Sequence, residues 1–121
     1  MIDAKLLKRL MPALEAVKER DAADFREKRD RAEALRAEIA AIHSGVAAAA
    51  AGLDPSDLAG YSAFLRYRQA SLARIDGVKT RLAQAESEEH DAREKLSRSH
   101  GSVEGCSLLA KRTQSSGSPK R

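Results

Sequence analysis

The sequence predicts an all-α fold: a long, antiparallel two-helix coiled-coil hairpin with a flexible C-terminal tail. Three observations predict it. Ala, Leu, Glu, Lys and Arg dominate the chain, charged residues make up 33% of it and aromatics only 3%. That is the composition of a long helix or coiled coil, not of a thick core. Apolar residues recur at steps of three and four along two stretches, the period that aligns side chains on one helix face. Between the stretches, Gly52 to Asp57 reads as one helix stopping and another starting. The expected boundaries are 1–98 for the hairpin, with its turn near 52–54, and 99–121 for a Ser/Gly/basic tail.

In the first stretch Leu7, Leu10, Leu14 and Val17 share a face. That face then receives Asp21 and resumes at Phe25, continuing through Ala32, Leu35, Ile39, Ile42 and Val46. The steps 17, 21, 25 are two fours in succession, a stutter that locally unwinds a coiled coil. Asp24 with Lys28 and Glu27 with Arg31 stand four apart in the favourable order, each pair adding about 0.2–0.5 kcal/mol. Pro12 lacks a backbone donor and crowds the turn before it, so either it stands in the first turn of the main helix, after a short helical start, or the helix is kinked there; the first is the preferred reading.

The Ala47–Ala51 run ends at Gly52, a residue that accepts the left-handed backbone of many helix ends. Asp54 then suits an N-cap, Pro55 the first helical position and Asp57 the positive end of the helix dipole. The second stretch visits Leu58, Tyr61, Leu65, Arg68, Leu72, Ile75, Lys79, Leu82, Glu86, Glu89, Arg93 and Leu96. Its polar lapses cluster late, opposite the lapse near Asp21–Arg31 in an antiparallel fold. The seam is thus expected to be firmest near the turn, with Leu65→Ala costing more than Leu96→Ala. From Ser97 on, Ser and Gly disfavour helix, although Val103, Leu108 and Leu109 allow one weak amphipathic turn.

Charge argues against a nucleic-acid interface on the folded part. Residues 1–51 hold 10 basic and 9 acidic side chains, residues 52–100 hold 8 and 8, and residues 101–121 hold 4 and 1. The net charge of +4 therefore sits mostly in the tail, whose few cations offer few phosphate contacts. No apolar run approaches the ~20 residues of a membrane span, and charges interrupt residues 1–10, so a cytoplasmic protein is expected. A single Cys, Cys106, excludes an internal disulfide; it reads as an inert, exposed thiol. Glu86 and His90 have ligand spacing, but structural zinc takes four ligands, and the surrounding acids read as a solvated face. No phosphate-binding Gly loop and no nucleophile–base pair stands out. No catalytic residue, cofactor or metal is expected, and the chain reads as a non-enzyme.

Tyr61, Phe64, Leu65 and Tyr67 form the one aromatic cluster. Tyr61 falls on the expected seam. Phe64 and Tyr67 flank it, either capping a thin core or presenting a contact patch of the kind aromatics anchor.

The run from Leu14 to Asp21, the long charged helix, the short turn and Tyr61-Ser62-Ala63-Phe64-Leu65 resemble the flagellar export protein FliJ and its counterparts in injectisomes, the YscO-type stalk proteins of type III secretion. The resemblance covers about residues 7–98. It implies an antiparallel coiled coil that enters the hexameric export ATPase as a central stalk, promotes its assembly, links it to the export gate and handles export chaperones. It would reach the cytoplasmic face of the inner membrane through those partners alone, and it implies a gate contact at Phe64. The polar seam near Asp21–Lys28 and Glu86–Arg93 suits insertion into a polar protein channel, with Arg26, Lys28 and Arg31 as the expected ATPase contacts. The reading from a different class is a coiled-coil adaptor or chaperone that self-associates into a helical bundle.

Overall fold

The structure, a computed structural model, describes residues 4–117. Two helices account for nearly all of them: α1, Ala4–Ala51, and α2, Leu58–Gly117. They form a helical hairpin. The chain divides into two units, one of residues up to Lys28 and from Glu89 on, the other of Arg29–Glu88. In each unit α2 runs antiparallel to α1. Arg31 pairs with Glu88 and Glu38 with Arg81 in the Arg29–Glu88 unit, while Asp21 meets Ser99 and Leu7 meets Cys106 in the other.

The connection is built differently from the expectation. Asp57, not Asp54, caps α2: Gly60 N donates to Asp57 Oδ1 at 3.0 Å, satisfying one of the backbone donors a helix start leaves unpaired. Gly60 makes the room, since a Cβ there would lie 2.5 Å from Asp57 Oδ2. Asp54 instead closes a turn over Pro55, accepting from Ser56 N at 3.0 Å and from Ser56 Oγ at 2.8 Å. Those bonds favour the carboxylate and lower its pKa, the Ser56 N–H contributing most. A depressed folded pKa means that whatever the turn contributes is present above the unfolded pKa and fades as pH falls through the folded one. Gly52 does not take the left-handed backbone, for no described residue has positive φ. The helix end closes through Gly52 N to Ala48 O and a tighter Leu53 N to Ala50 O bond, both 3.2 Å. Asp57→Ala is expected to cost about 0.5–2 kcal/mol in thermal unfolding, with Asp57→Asn recovering most of the loss because its side-chain oxygen still accepts.

Pro12 sits inside α1, so the separate short start does not form. It lies on the exposed side of the helix, where solvent-facing carbonyls tilt toward water and a lost intrahelical bond is least costly. Nor does the helix stop near residue 98: the expected tail is helical as far as Gly117, and residues 118–121 lie outside the described residues. Propensity predicts the break because serines and glycines compete with helix. Packing overrides it. Ser99 and Cys106 are buried and Val103 is half-buried. The hydroxyls of Ser102 and Thr113 donate within 3.1 Å to the carbonyls four residues back, a bond that keeps them compatible with a helix.

The seam register also departs from the expectation. On α1 the covered positions run Leu7, Met11, Leu14, Lys18, Asp21, Phe25, Lys28, Ala32, Leu35, Ile39, Ile42 and Val46, alternating threes and fours. There is no stutter, and Val17 and Leu10 are exposed. On α2 the covered positions run Ser71, Ile75, Val78, Leu82, Ala85, Glu89, Ala92, Leu96, Ser99, Val103 and Cys106. Alternate members of that row, Ser71, Val78, Ala85, Ala92, Ser99 and Cys106, recur every seventh residue and are small. Leu58, Tyr61, Leu65 and Leu72 stand off the seam at 82%, 51%, 44% and 39% exposure. Leu96 is half-buried in the seam, so the expected order of Leu65→Ala and Leu96→Ala reverses. The apolar centre of the Arg29–Glu88 unit is Ile42, Ile75 and Val78, with Leu35 and Ile39 packed against it.

Candidate functional site

Of the expected contact residues, Phe64 and Tyr67 stay close to each other but differ in setting. Phe64 is half-buried and continues the seam register. Tyr67 is exposed, and its hydroxyl reaches across to α1. A Cβ on Gly45 would come 2.9 Å from that oxygen, so the phenol lies over a residue that lacks a side chain. Tyr67 also borders a groove of about 230 Å³ shared with Glu38, Ala41, Ile42, Ser71 and Arg74. Glu38 holds Arg74 at 3.5 Å and Arg81 at 4.0 Å, which ties the helices at this level. Exposed pairs of this kind are worth about 0–1 kcal/mol each, so they set register more than stability.

Arg26, Lys28 and Arg31 do not form one basic patch. Arg26 is exposed, and Lys28, two residues on, occupies a seam position nearly opposite to it. The Lys28 ammonium stands 4.0 Å from Asp24. Arg31 is taken up by Glu88 at 3.7 Å. Of the three, Arg26 alone can be reversed without touching the seam or a cross-helix ion pair among those described.

In the unit formed by the first 28 residues and those from Glu89 on, charge enters the seam itself, at Lys18, Asp21, Lys28 and Glu89. The Asp21 carboxylate accepts from the Ser99 hydroxyl and faces Arg20 at 3.7 Å. Arg93 bonds Glu89 at 3.2 Å and also lies over the Phe25 ring, 5.6 Å from its centre, a cation–π contact of about 0.5–1 kcal/mol. Beside Asp21 a groove of about 570 Å³ is lined by Arg20, Asp24, Lys95, Arg98 and Ser102, with Leu14 and Val17 as its apolar wall.

The sequence misplaces one side chain of chemical interest. Cys106 is buried, with its thiol 3.8 Å from the Leu7 carbonyl, because it belongs to the small-residue column of α2. His90 pairs with Glu94 at 3.2 Å and not with Glu86; His100 repeats the arrangement with Glu104 at 3.6 Å. Among the described residues no three His, Cys, Asp or Glu side chains gather where they could hold a metal ion, and no helix is long and apolar enough to cross a membrane.

The feature that sequence reasoning assigns to the interior is the outward row Leu58, Tyr61, Leu65 and Leu72. Its three- and four-residue spacing makes it as regular as the seam. Arg68 falls within the row, and Arg66 lies nearby. Neither is paired with a carboxylate among the described residues, unlike Arg74 and Arg81. No protein-family model, curated protein or solved structure matches this chain.

Proposed function

We propose that this chain is a non-enzymatic helical hairpin that works by being held by other proteins, as a stalk and chaperone-handling component of a flagellar or type III export ATPase in the cytoplasm. The resemblance of residues 14–21 and 61–65 to the export stalk proteins supplies the form of that role. The observation that supports it from geometry is the charged seam at Lys18, Asp21, Lys28 and Glu89. Charge in a seam is no stability device, since apolar residues of similar volume often do as well or better. Asp21 and Glu89 are matched within the hairpin by Ser99 and Arg93, and the groove beside Asp21, with the exposed Arg20, Lys95 and Arg98 at its edge, carries the same polar chemistry outward to where a surrounding protein can meet it.

The test is a titration of the purified chain into the export ATPase of the same organism, following hydrolysis and hexamer formation together. Stimulation that tracks hexamer formation is expected. Arg26→Glu should weaken it while circular dichroism stays unchanged. If the chain neither binds nor stimulates the ATPase, the stalk role is wrong. Sedimentation equilibrium would then ask whether the hairpin is the self-associating adaptor instead.

A further inference from the structure

We propose that the outward row of α2, Leu58, Tyr61, Leu65 and Leu72 with Arg68 among them, is a docking surface for an acidic amphipathic helix of another protein. This goes beyond the stalk role and does not depend on it, for it concerns a different surface. Three observations carry it. The four side chains are exposed, from 39% at Leu72 to 82% at Leu58, although Ile75 and Val78 on the neighbouring face are fully covered. Their spacing is that of helix-in-groove recognition, in which an apolar stripe is read at three- and four-residue intervals. The charge is one-sided: between Asp57 and Asp76 the chain has no acidic residue and three arginines, Arg66, Arg68 and Arg74. Glu38 holds Arg74, which leaves Arg66 and Arg68 unanswered.

That charge decides among occupants. A second copy docked by a two-fold axis would place the same patch on both sides. Each copy would bring arginines to the contact and neither would bring an acid from residues 58–75. A lipid surface attracts cations, but it holds an amphipathic helix by sinking a whole apolar face into the acyl boundary. Here the adjoining face is already spent on α1, and Arg68 interrupts the one that remains. A helix with an apolar stripe bordered by Asp or Glu answers both features. Its apolar residues cover Leu58, Leu65 and Leu72, while its carboxylates meet Arg66 and Arg68.

The experiment uses the full chain and two synthetic helices with leucines at three- and four-residue spacing, one flanked by glutamates and one by lysines, measured by fluorescence anisotropy. The glutamate helix is expected to bind, and the lysine helix to bind about tenfold or more weakly, because like charges across a contact are strongly penalised. Leu65→Ser with Leu72→Ser should abolish binding without loss of helicity, both positions being exposed. Arg68→Glu should lower affinity for the glutamate helix and raise it for the lysine helix. Equal binding of the two helices overturns the proposal. So does tighter binding to phosphatidylserine vesicles than to either helix, or a dimer in sedimentation equilibrium that Leu65→Ser dissolves. Since the readout needs no ATPase, its failure and the failure of the stalk role are told apart.

Discussion

Replacing Ala32 or Ala85 with Leu should destabilise the hairpin by about 1–3 kcal/mol, the usual cost of forcing extra methylenes into a packed site. Both alanines belong to the Arg29–Glu88 unit and are 0% and 2% exposed. The ion pairs Arg31–Glu88 and Arg36–Glu86 bridge the two helices beside them. Both positions are covered although an alanine fills little space, so a leucine fits there only if the helices move apart. Ala83→Leu, exposed on the same helix, should stay within about 0.5 kcal/mol of the wild type. The double variant Ala32→Leu/Ala85→Leu should lose less than the sum of the single losses, since neighbouring sites couple and one separation of the helices serves both. Urea unfolding followed by circular dichroism checks all four variants against the wild type.

The hairpin itself is legible in the residues because its signals are local. Gly52 and the Asp54-Pro55-Ser56-Asp57 cluster mark the reversal whichever aspartate ends up as the cap. The α1 seam from Phe25 to Val46 is legible as well, because its large side chains are also its covered ones. The α2 register is not. Ile75, Leu82, Glu89 and Leu96 belong equally to two rows, one continuing through Leu58, Leu65 and Leu72, the other through Ser71, Val78, Ala85 and Ala92. Ranking by size selects the first row. Burial selects the second, and the seven-residue recurrence of small residues out to Cys106 is the signal in the sequence that marks it.

The same error hides the candidate docking row, because a regular stripe of Leu and Tyr reads as core until another stripe is shown to fill that place. It also hides the length of α2. Ser99, Gly101, Ser102 and Gly105 read as breakers by propensity, whereas Ser99, Val103 and Cys106 keep to the seam, and tertiary packing outweighs propensity. For Arg26, Lys28 and Arg31, shared charge and proximity in sequence suggest one patch, but helix geometry sends Arg26 and Lys28 to nearly opposite sides.

The register of the hairpin is set by which α2 row faces α1, and the unfolding free energies of Ile75→Ala and Leu65→Ala, measured side by side in urea, report that row. Ile75 is 2% exposed and packs in the cluster of Ile42 and Val78. Truncating it removes buried methylenes and leaves a cavity, a loss of about 2–5 kcal/mol, with a two-helix seam toward the low end. Leu65 is 44% exposed, so its truncation should cost less than about 1 kcal/mol. Leu96→Ala, at a half-buried seam position, should fall between them. A clear gap with Ile75 as the costly site is the predicted result. Equal losses at the two sites, or a larger loss at Leu65, would contradict the register and return the Leu58–Leu72 row to the interior.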